Sequence, residues 1–316
     1  MNAPVVSPAT GRAVIVGFGL TGRDIAAFFL AGGWRVTAVE PEQSVWQTAR
    51  ARLDGSLAQL GASPERVAQL TLVATLAEVD FAGVEIVIEA VPERLLLKQA
   101  VFAELDGLVL EGVAVATNAS GLRVTDIAKD CKTRQRMANL HFFLPAHLVP
   151  GVEVVRGEYT DPEICDRVAE IMAGLGRKVI RVSRDVPGFL ANRIQHALMR
   201  EAFAAIEEGL ATADDVDTAV RYTFGLRYIA AGPILQKEMS GGLEKQLAVA
   251  RTIYPFLSNK AEPSATLTKL VAENRVGLKS GRFREWPPEK AAREQARYER
   301  VLLEAARLLQ DKGDAD

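Results

Sequence analysis

Hydrophobic positions in the first half of the chain come in short solid runs, and in the second half at helical spacing. The runs are "RAVIV" (12–16), "RVTAV" (35–39), "LTLVA" (71–75), "EIVIEAV" (85–91) and "GVAVATN" (112–118). Runs this short, rich in valine and isoleucine and without polar alternation, read as strands buried on both faces. Amphipathic stretches separate them: "TGRDIAAFFLAGG", "QTARARLDGSLAQL" and a third near 94–106. Such alternation predicts an α/β chain with a mostly parallel, doubly wound sheet. "RMANLHFF" (136–143), "VEVVRG" (152–157) and "KVIRVS" (178–183) continue the strand pattern. Between the last two, "TDPEICDRVAEIMAGLG" opens with a capping pattern and an early proline and closes on glycine, marking a helix. Past "RDVPGF" (184–189) the strand signal stops. "GFLANRIQHALMREAFAAIEEG" reads as a long amphipathic helix, "TADDVDTAVRYTFG" starts with Thr212 and Asp215 in capping-box spacing, and the charged tail from 287 is helical again. Residues 1–185 are therefore expected to form the sheet domain and 186–316 an all-α domain.

The turn after the first strand, "VIVGFGLTG", sets Gly17, Gly19 and Gly22 in G-x-G-x-x-G spacing. The first glycine permits the tight turn, the second lets backbone approach a pyrophosphate, and the third lets helix and strand pack closely. The helix N-terminus offers unpaired N–H groups to phosphate. Glu40 ends the second strand, where a carboxylate can accept from both ribose hydroxyls of adenosine, and "EPEQS" supplies no cation for a 2′-phosphate. The sheet domain is thus expected to be a Rossmann-type unit binding NAD in preference to NADP.

Composition narrows the function little. A net charge of -2 gives no support for a nucleic-acid or membrane-surface partner. The start of the chain, "MNAPVVSPAT", lacks a signal peptide's basic head and apolar core, and no apolar run reaches a membrane span. Cys131 and Cys165 have no metal-type spacing and read as free thiols. A cytoplasmic protein without a metal is expected.

Chemistry concentrates in "HFFLPAHLVPGVEVV" (141–155), which holds His141, His147 and Glu153. Oxidising a secondary alcohol needs a base whose pKa lies near working pH, which favours histidine. A carboxylate on the far ring nitrogen would fix the tautomer and stabilise the imidazolium. Two neighbouring strands joined by "LPAHLVPG" would bring His141 and Glu153 side by side. The plainer alternative leaves His141 capping a buried strand and Glu153 in solvent. His147, in the loop, fits either the substrate mouth or the surface, and His196, mid-helix, fits a core or interface position.

"HFF-P" followed by "VEVV", then "DVPGFLANR" and "LVAENRVGLKSG", resembles the L-3-hydroxyacyl-CoA dehydrogenase family from about residue 12 to about 286. The resemblance implies His141 as general base, Glu153 as its orienter, Ser120 beside nicotinamide and substrate, and Asn192 near the reacting oxygen. It implies NAD contacts from Glu93, Lys98 and Lys279, and a helical domain that binds substrate and forms a homodimer. Two departures bear on the substrate. Leu144 stands where the family has asparagine. Ser56 matches a serine of the CoA region, but the helix continues "LAQLGASPER" without the family's lysine cluster, and CoA phosphates normally require Arg or Lys. The segment "GLRYIAAGPILQKEMSGG" (225–242) is similar to relatives acting on carnitine-type and gulonate-type acids. A small free hydroxy acid is therefore expected, with Arg193, Arg227 and Lys237 as candidate carboxylate partners. The alternatives are a short 3-hydroxyacyl-CoA substrate, or a non-catalytic, crystallin-like NAD-binding protein.

Overall fold

A computed structural model describes residues 10–275 and 287–310. The chain divides into two compact units, Met1–Asn192 and Arg193–Asp316. The first is built on β1 (Arg12–Val16), α1 (Leu20–Ala31), β2 (Arg35–Val39), α2 (Trp46–Gln59), β3 (Leu70–Val73), β4 (Ile86–Glu89), α3 (Leu95–Leu108), β5 (Ala114–Thr117), the short α4 (Val124–Ile127), β6 (Met137–Phe142), β7 (Gly151–Val155), α5 (Pro162–Gly174) and β8 (Lys178–Val182). These strands make an eight-stranded sheet in the order β3-β2-β1-β4-β5-β6-β7-β8.

Successive side chains of β1 explain why its run is apolar throughout. Ala13 and Ile15 face one layer with Phe29, Leu30, Leu53, Leu57 and Met172 of α1, α2 and α5. Val14 and Val16 face the other with Phe102, Leu105 and Ile127 of α3 and α4. Both faces are covered, so no strand position is left for polar alternation.

All pairings from β3 across to β6 are parallel, while β7 runs antiparallel to β6 and β8 parallel to β7. The reversal follows from the connection. Residues 143–150 form a loop without a crossover helix, and so short a link can only fold the chain back. Its register sets His141 opposite Glu153. The cap expected on α5 is half realised: Pro162 occupies the first turn, but the Asp161 side chain makes no cap bond. Thr160 Oγ1 donates instead to Met137 O at 2.5 Å.

The second unit holds most of α6 (Ala191–Glu207), then α7 (Ala213–Tyr222), α8 (Phe224–Ala230), α9 (Pro233–Met239), α10 (Gly242–Ile253), α11 (Ala265–Ala272) and α12 (Pro288–Gln310). Thr212 and Asp215 form the capping box of α7. Glu201 and Glu207 tie α6 to the later chain by accepting from the Ser258 and Thr266 N–H groups at 2.7 and 2.9 Å. Gly188 and the residues up to Leu190, read as helical, form a turn ahead of α6. Among the described residues no helix is long and apolar enough to cross a membrane.

Candidate active site

The sheet's strand order reverses between β1 and β4, and the carboxyl ends of their neighbours converge there, where doubly wound sheets bind ligands. Gly17, with φ 97°, makes the turn after β1. A Cβ on Gly22 would sit 1.9 Å from Gly17 O, whereas one on Gly19 would meet nothing within 4 Å. The first and third glycines are thus demanded by packing, and the second borders open space where a pyrophosphate fits. Glu40 Oε2 accepts from the Phe18 N–H and Oε1 from the Glu42 N–H, each at 3.1 Å. The carboxylate is held at the end of β2 against the glycine turn. These residues fit an adenine dinucleotide without a 2′-phosphate.

After β4, Glu93 Oε1 accepts from three consecutive amides, Ser120, Gly121 and Leu122, at 3.0, 2.9 and 3.2 Å. It thereby holds the exposed Ser120 loop. Lys98 lies beneath, only 1% exposed. Its ammonium contacts Glu89 at 2.8 and 3.1 Å and Val91 O at 3.1 Å, with Glu93 Oε2 at 3.6 Å. The resemblance implies an NAD contact for Lys98; in the structure its ammonium is taken up by Glu89, Val91 O and Glu93. Glu89 and Thr117, which bonds Glu89 at 2.7 Å, went unnoticed. Burial pushes the Glu89 carboxyl up, against the opposing Lys98 charge and the bonds from Lys98, Thr117 and Val91. An acid closing an apolar central strand was the available signal.

At the end of β6, His141 Nδ1 lies 2.8 Å from Glu153 Oε2, with side chains 3% and 0% exposed. Glu153 Oε1 accepts from the Leu190 and Ala191 N–H groups at 3.1 and 2.8 Å. Burial would raise this carboxyl, but the bonds from His141 and Ala191, the His141 charge and the Leu190 amide hold it below the usual range. A carboxylate can only accept, so the Nδ1–H of His141 faces Glu153 and Nε2 is the ring nitrogen left for proton exchange with a ligand. Asn192 Nδ2 donates to Ser120 O at 2.9 Å. Asn118 Oδ1 accepts from the Phe142 N–H at 2.8 Å, and Asn139 Nδ2 donates to Ala119 O at 3.1 Å. These two asparagines, also missed, lock the Ser120 loop to the end of β6.

The remaining candidates fall elsewhere. His147 is buried, with Nδ1 3.1 Å from Asp24 Oδ2 and Nε2 2.5 Å from Gln59 Oε1. Neither the mouth nor the surface position holds for it. Ser56 Oγ donates to the same Asp24 at 3.2 Å and is buried, so its hydroxyl is not offered to a ligand. His196 is exposed on α6, which removes the core position. Leu144 is 52% exposed. Arg193, Arg227 and Lys237 belong to the second unit, Arg193 and Arg227 exposed and Lys237 half-buried. Lys279 lies outside the described residues. Cys131 and Cys165 are free and buried.

A doubly wound sheet with this glycine turn and an acid closing β2 defines a dinucleotide-binding unit. The model of the 3-hydroxyacyl-CoA dehydrogenase NAD binding domain matches residues 12–186, and that of the C-terminal domain matches 188–286. L-carnitine dehydrogenase of Streptomyces griseus is 37% identical over 247 residues, 76% of this chain and 72% of the relative. The 5-formyl-3-hydroxy-2-methylpyridine 4-carboxylate 5-dehydrogenase of Mesorhizobium japonicum is 29% identical over 94% of this chain and 98% of its own. A solved structure of an enzyme of that name superposes with a TM-score of 0.89 at 27% identity, covering 96% of this chain and 99% of the other. (S)-3-hydroxybutyryl-CoA dehydrogenase from Ralstonia eutropha gives 0.71 at 29% identity, covering 88% of this chain and 100% of the other. The chain belongs to the 3-hydroxyacyl-CoA dehydrogenase family, and it is an NAD-dependent oxidoreductase acting on CH–OH donors.

Proposed function

We propose that the enzyme oxidises the 3-hydroxyl of a small free hydroxy acid to the 3-keto product. The carrying observation is the buried 2.8 Å contact between His141 Nδ1 and Glu153 Oε2. His141 takes the hydroxyl proton at Nε2 while the C–H hydride leaves, and Glu153 stabilises the imidazolium. NAD, when bound, accepts that hydride. Ser120 and Asn192, joined at the Ser120 carbonyl, position the reacting oxygen. Gly17, Gly19, Gly22 and Glu40 hold the adenosine and pyrophosphate, with Glu93 and Lys98 behind the Ser120 loop and Lys279 as a late cofactor contact.

Two observations support a substrate without CoA: Ser56 is already bonded to Asp24, and the helix after it carries no lysine cluster. The 37% identity to an L-carnitine dehydrogenase points the same way. Arg193, Arg227 and Lys237 are the proposed carboxylate partners, and residues 186–316 the substrate-binding and dimerisation domain. The free thiols support a cytoplasmic setting. A second reading, favoured by the full-length TM-score of 0.89, takes a carboxylated pyridine instead. Following NADH absorbance with free 3-hydroxy acids, the pyridine aldehyde acid and 3-hydroxybutyryl-CoA separates these. Turnover of a free acid alone is expected; robust turnover of the CoA ester alone overturns the proposal. His141→Ala should lose on the order of a hundredfold or more in kcat while NADH binding is retained.

A further inference from the structure

The turn between β8 and α6 has an unusual backbone. Gly188 has φ 77°, and the next residue, Phe189, has φ 50° without being glycine. Left-handed backbone at a bulky residue is rare and is retained where its surroundings over-determine it. The Phe189 N–H closes the turn on Val186 O at 3.0 Å. Phe189 is 2% exposed, yet it belongs to neither apolar layer of the sheet. Its ring meets His141 edge-on, with centroids 5.7 Å apart, while Phe143 lies 4.5 Å from the imidazole. Leu190 points outward, 46% exposed, so the turn is not bent to bury it. What the bend does accomplish is aim the next two amides at Glu153 Oε1, at 3.1 and 2.8 Å.

We infer that the 188–191 turn is a positioning element for the His141–Glu153 pair, with Phe189 walling the imidazole from water and the Leu190 and Ala191 amides fixing Glu153. The inference rests on His141 acting as base. Both oxygens of Glu153 are occupied, Oε2 by His141 and Oε1 by the turn, so the carboxylate cannot rotate away from the ring. Among the described residues, His141 and Glu153 are each other's charged partner, and no third charged group contacts either. Partners of this kind, acting through the groups that touch the ligand, commonly change activity by about ten- to a hundredfold when removed.

Two substitutions test the two halves. Ala191→Pro deletes one amide while leaving proline at the first helical position, where it is well tolerated. Phe189→Leu keeps apolar bulk but opens the edge of the ring. Each should lower kcat by about ten- to a hundredfold with NADH binding, followed by fluorescence, unchanged. The acid limb of the kcat profile should move in opposite directions. It falls in Ala191→Pro, where the carboxylate is less firmly held, and rises in Phe189→Leu, where water reaches the imidazolium. Unmoved limbs with wild-type kcat overturn the inference, as does a loss of kcat that tracks melting temperature with unmoved limbs. If Phe189→Leu does not fold, Ala191→Pro decides. His141→Ala run in parallel separates the failures: near-wild-type turnover there removes the base itself, whereas its inactivity beside two unperturbed turn variants removes only the turn's role.

Discussion

The sheet unit and the helical unit bury their hydrophobic side chains to different degrees. Large apolar residues of the first unit, such as Ile15, Phe29, Leu53, Ile88 and Phe102, are wholly enclosed. In the second unit only Ala204 and Leu270 reach comparable burial among the described residues, while Ile234, Leu243 and Phe256 are 68%, 58% and 84% exposed. A domain that closes its own core can carry buried charges in fixed positions, because nothing needs to move to dry them. That is where Lys98, Glu89, His141 and Glu153 all lie. Helices whose apolar faces are this open require a cover, and we propose that a second copy of the chain supplies it.

The comparison breaks first, and with the largest effect, at the buried ion pair. Lys98→Met strands the Glu89 carboxylate without its cation, which should cost about 3–5 kcal/mol, seen as a large drop in melting temperature. Adding Glu89→Gln should recover part of that loss, since the pair is coupled. Full retention of stability by the single variant would show that the sheet unit does not depend on its buried charges. Next comes Glu153→Gln, which keeps the shape but removes the charge facing the imidazolium. Turnover should fall on the order of a hundredfold or more with NADH affinity and melting temperature nearly unchanged. A variant with wild-type kcat would leave Glu153 as a helix cap and no more.

Much of this was legible in the residues, and the gaps have physical causes. Apolar, valine- and isoleucine-rich runs announce strands even at the partly exposed edges β3 and β8, so β1 to β8 appear within a residue or two of their predicted ends. The β6–β7 reversal was readable too, because "LPAHLVPG" is too short for a crossover. What local pattern could not show is where a long polar side chain ends. Lys98 resembles any helical lysine until Glu89 is seen below it. His147 resembles a loop histidine until Asp24 and Gln59, from two other helices, close on it. Phe189 escaped for a different reason: left-handed backbone at phenylalanine has no sequence signature, and the glycine before it accounts for the turn by itself.

A smaller effect sharpens the contrast from the helical side. Phe256→Ser and Leu243→Ser together should leave the sheet unit's melting unaffected and weaken association, each buried side chain being worth about 1.5–3 kcal/mol. Light scattering should give the mass of two 34.2 kDa chains for the wild type and a shift towards one for the variant. A wild type that runs as a single chain at all concentrations would remove the second copy as the cover.

The smallest effect is a pH dependence confined to the sheet unit. Asp106, on α3, accepts from the Lys132 and Thr133 N–H groups at 2.7 and 2.9 Å and from the Thr133 hydroxyl. Partial burial would raise its carboxyl, but these bonds and the Arg136 charge hold it below its ordinary value. A carboxyl depressed by folding binds its proton more readily in the unfolded chain. Its stabilisation is therefore complete above the unfolded value near 3.9 and is lost as pH falls through the lower folded one. Asp106→Asn keeps one acceptor and abolishes the titration. Urea midpoints taken from pH 6 down to pH 3 should fall less steeply for the variant than for the wild type, by about 1 kcal/mol across the window. Parallel slopes would place the acid sensitivity elsewhere, with Glu153, whose carboxyl is held low by the same kind of amide contact, the next to test.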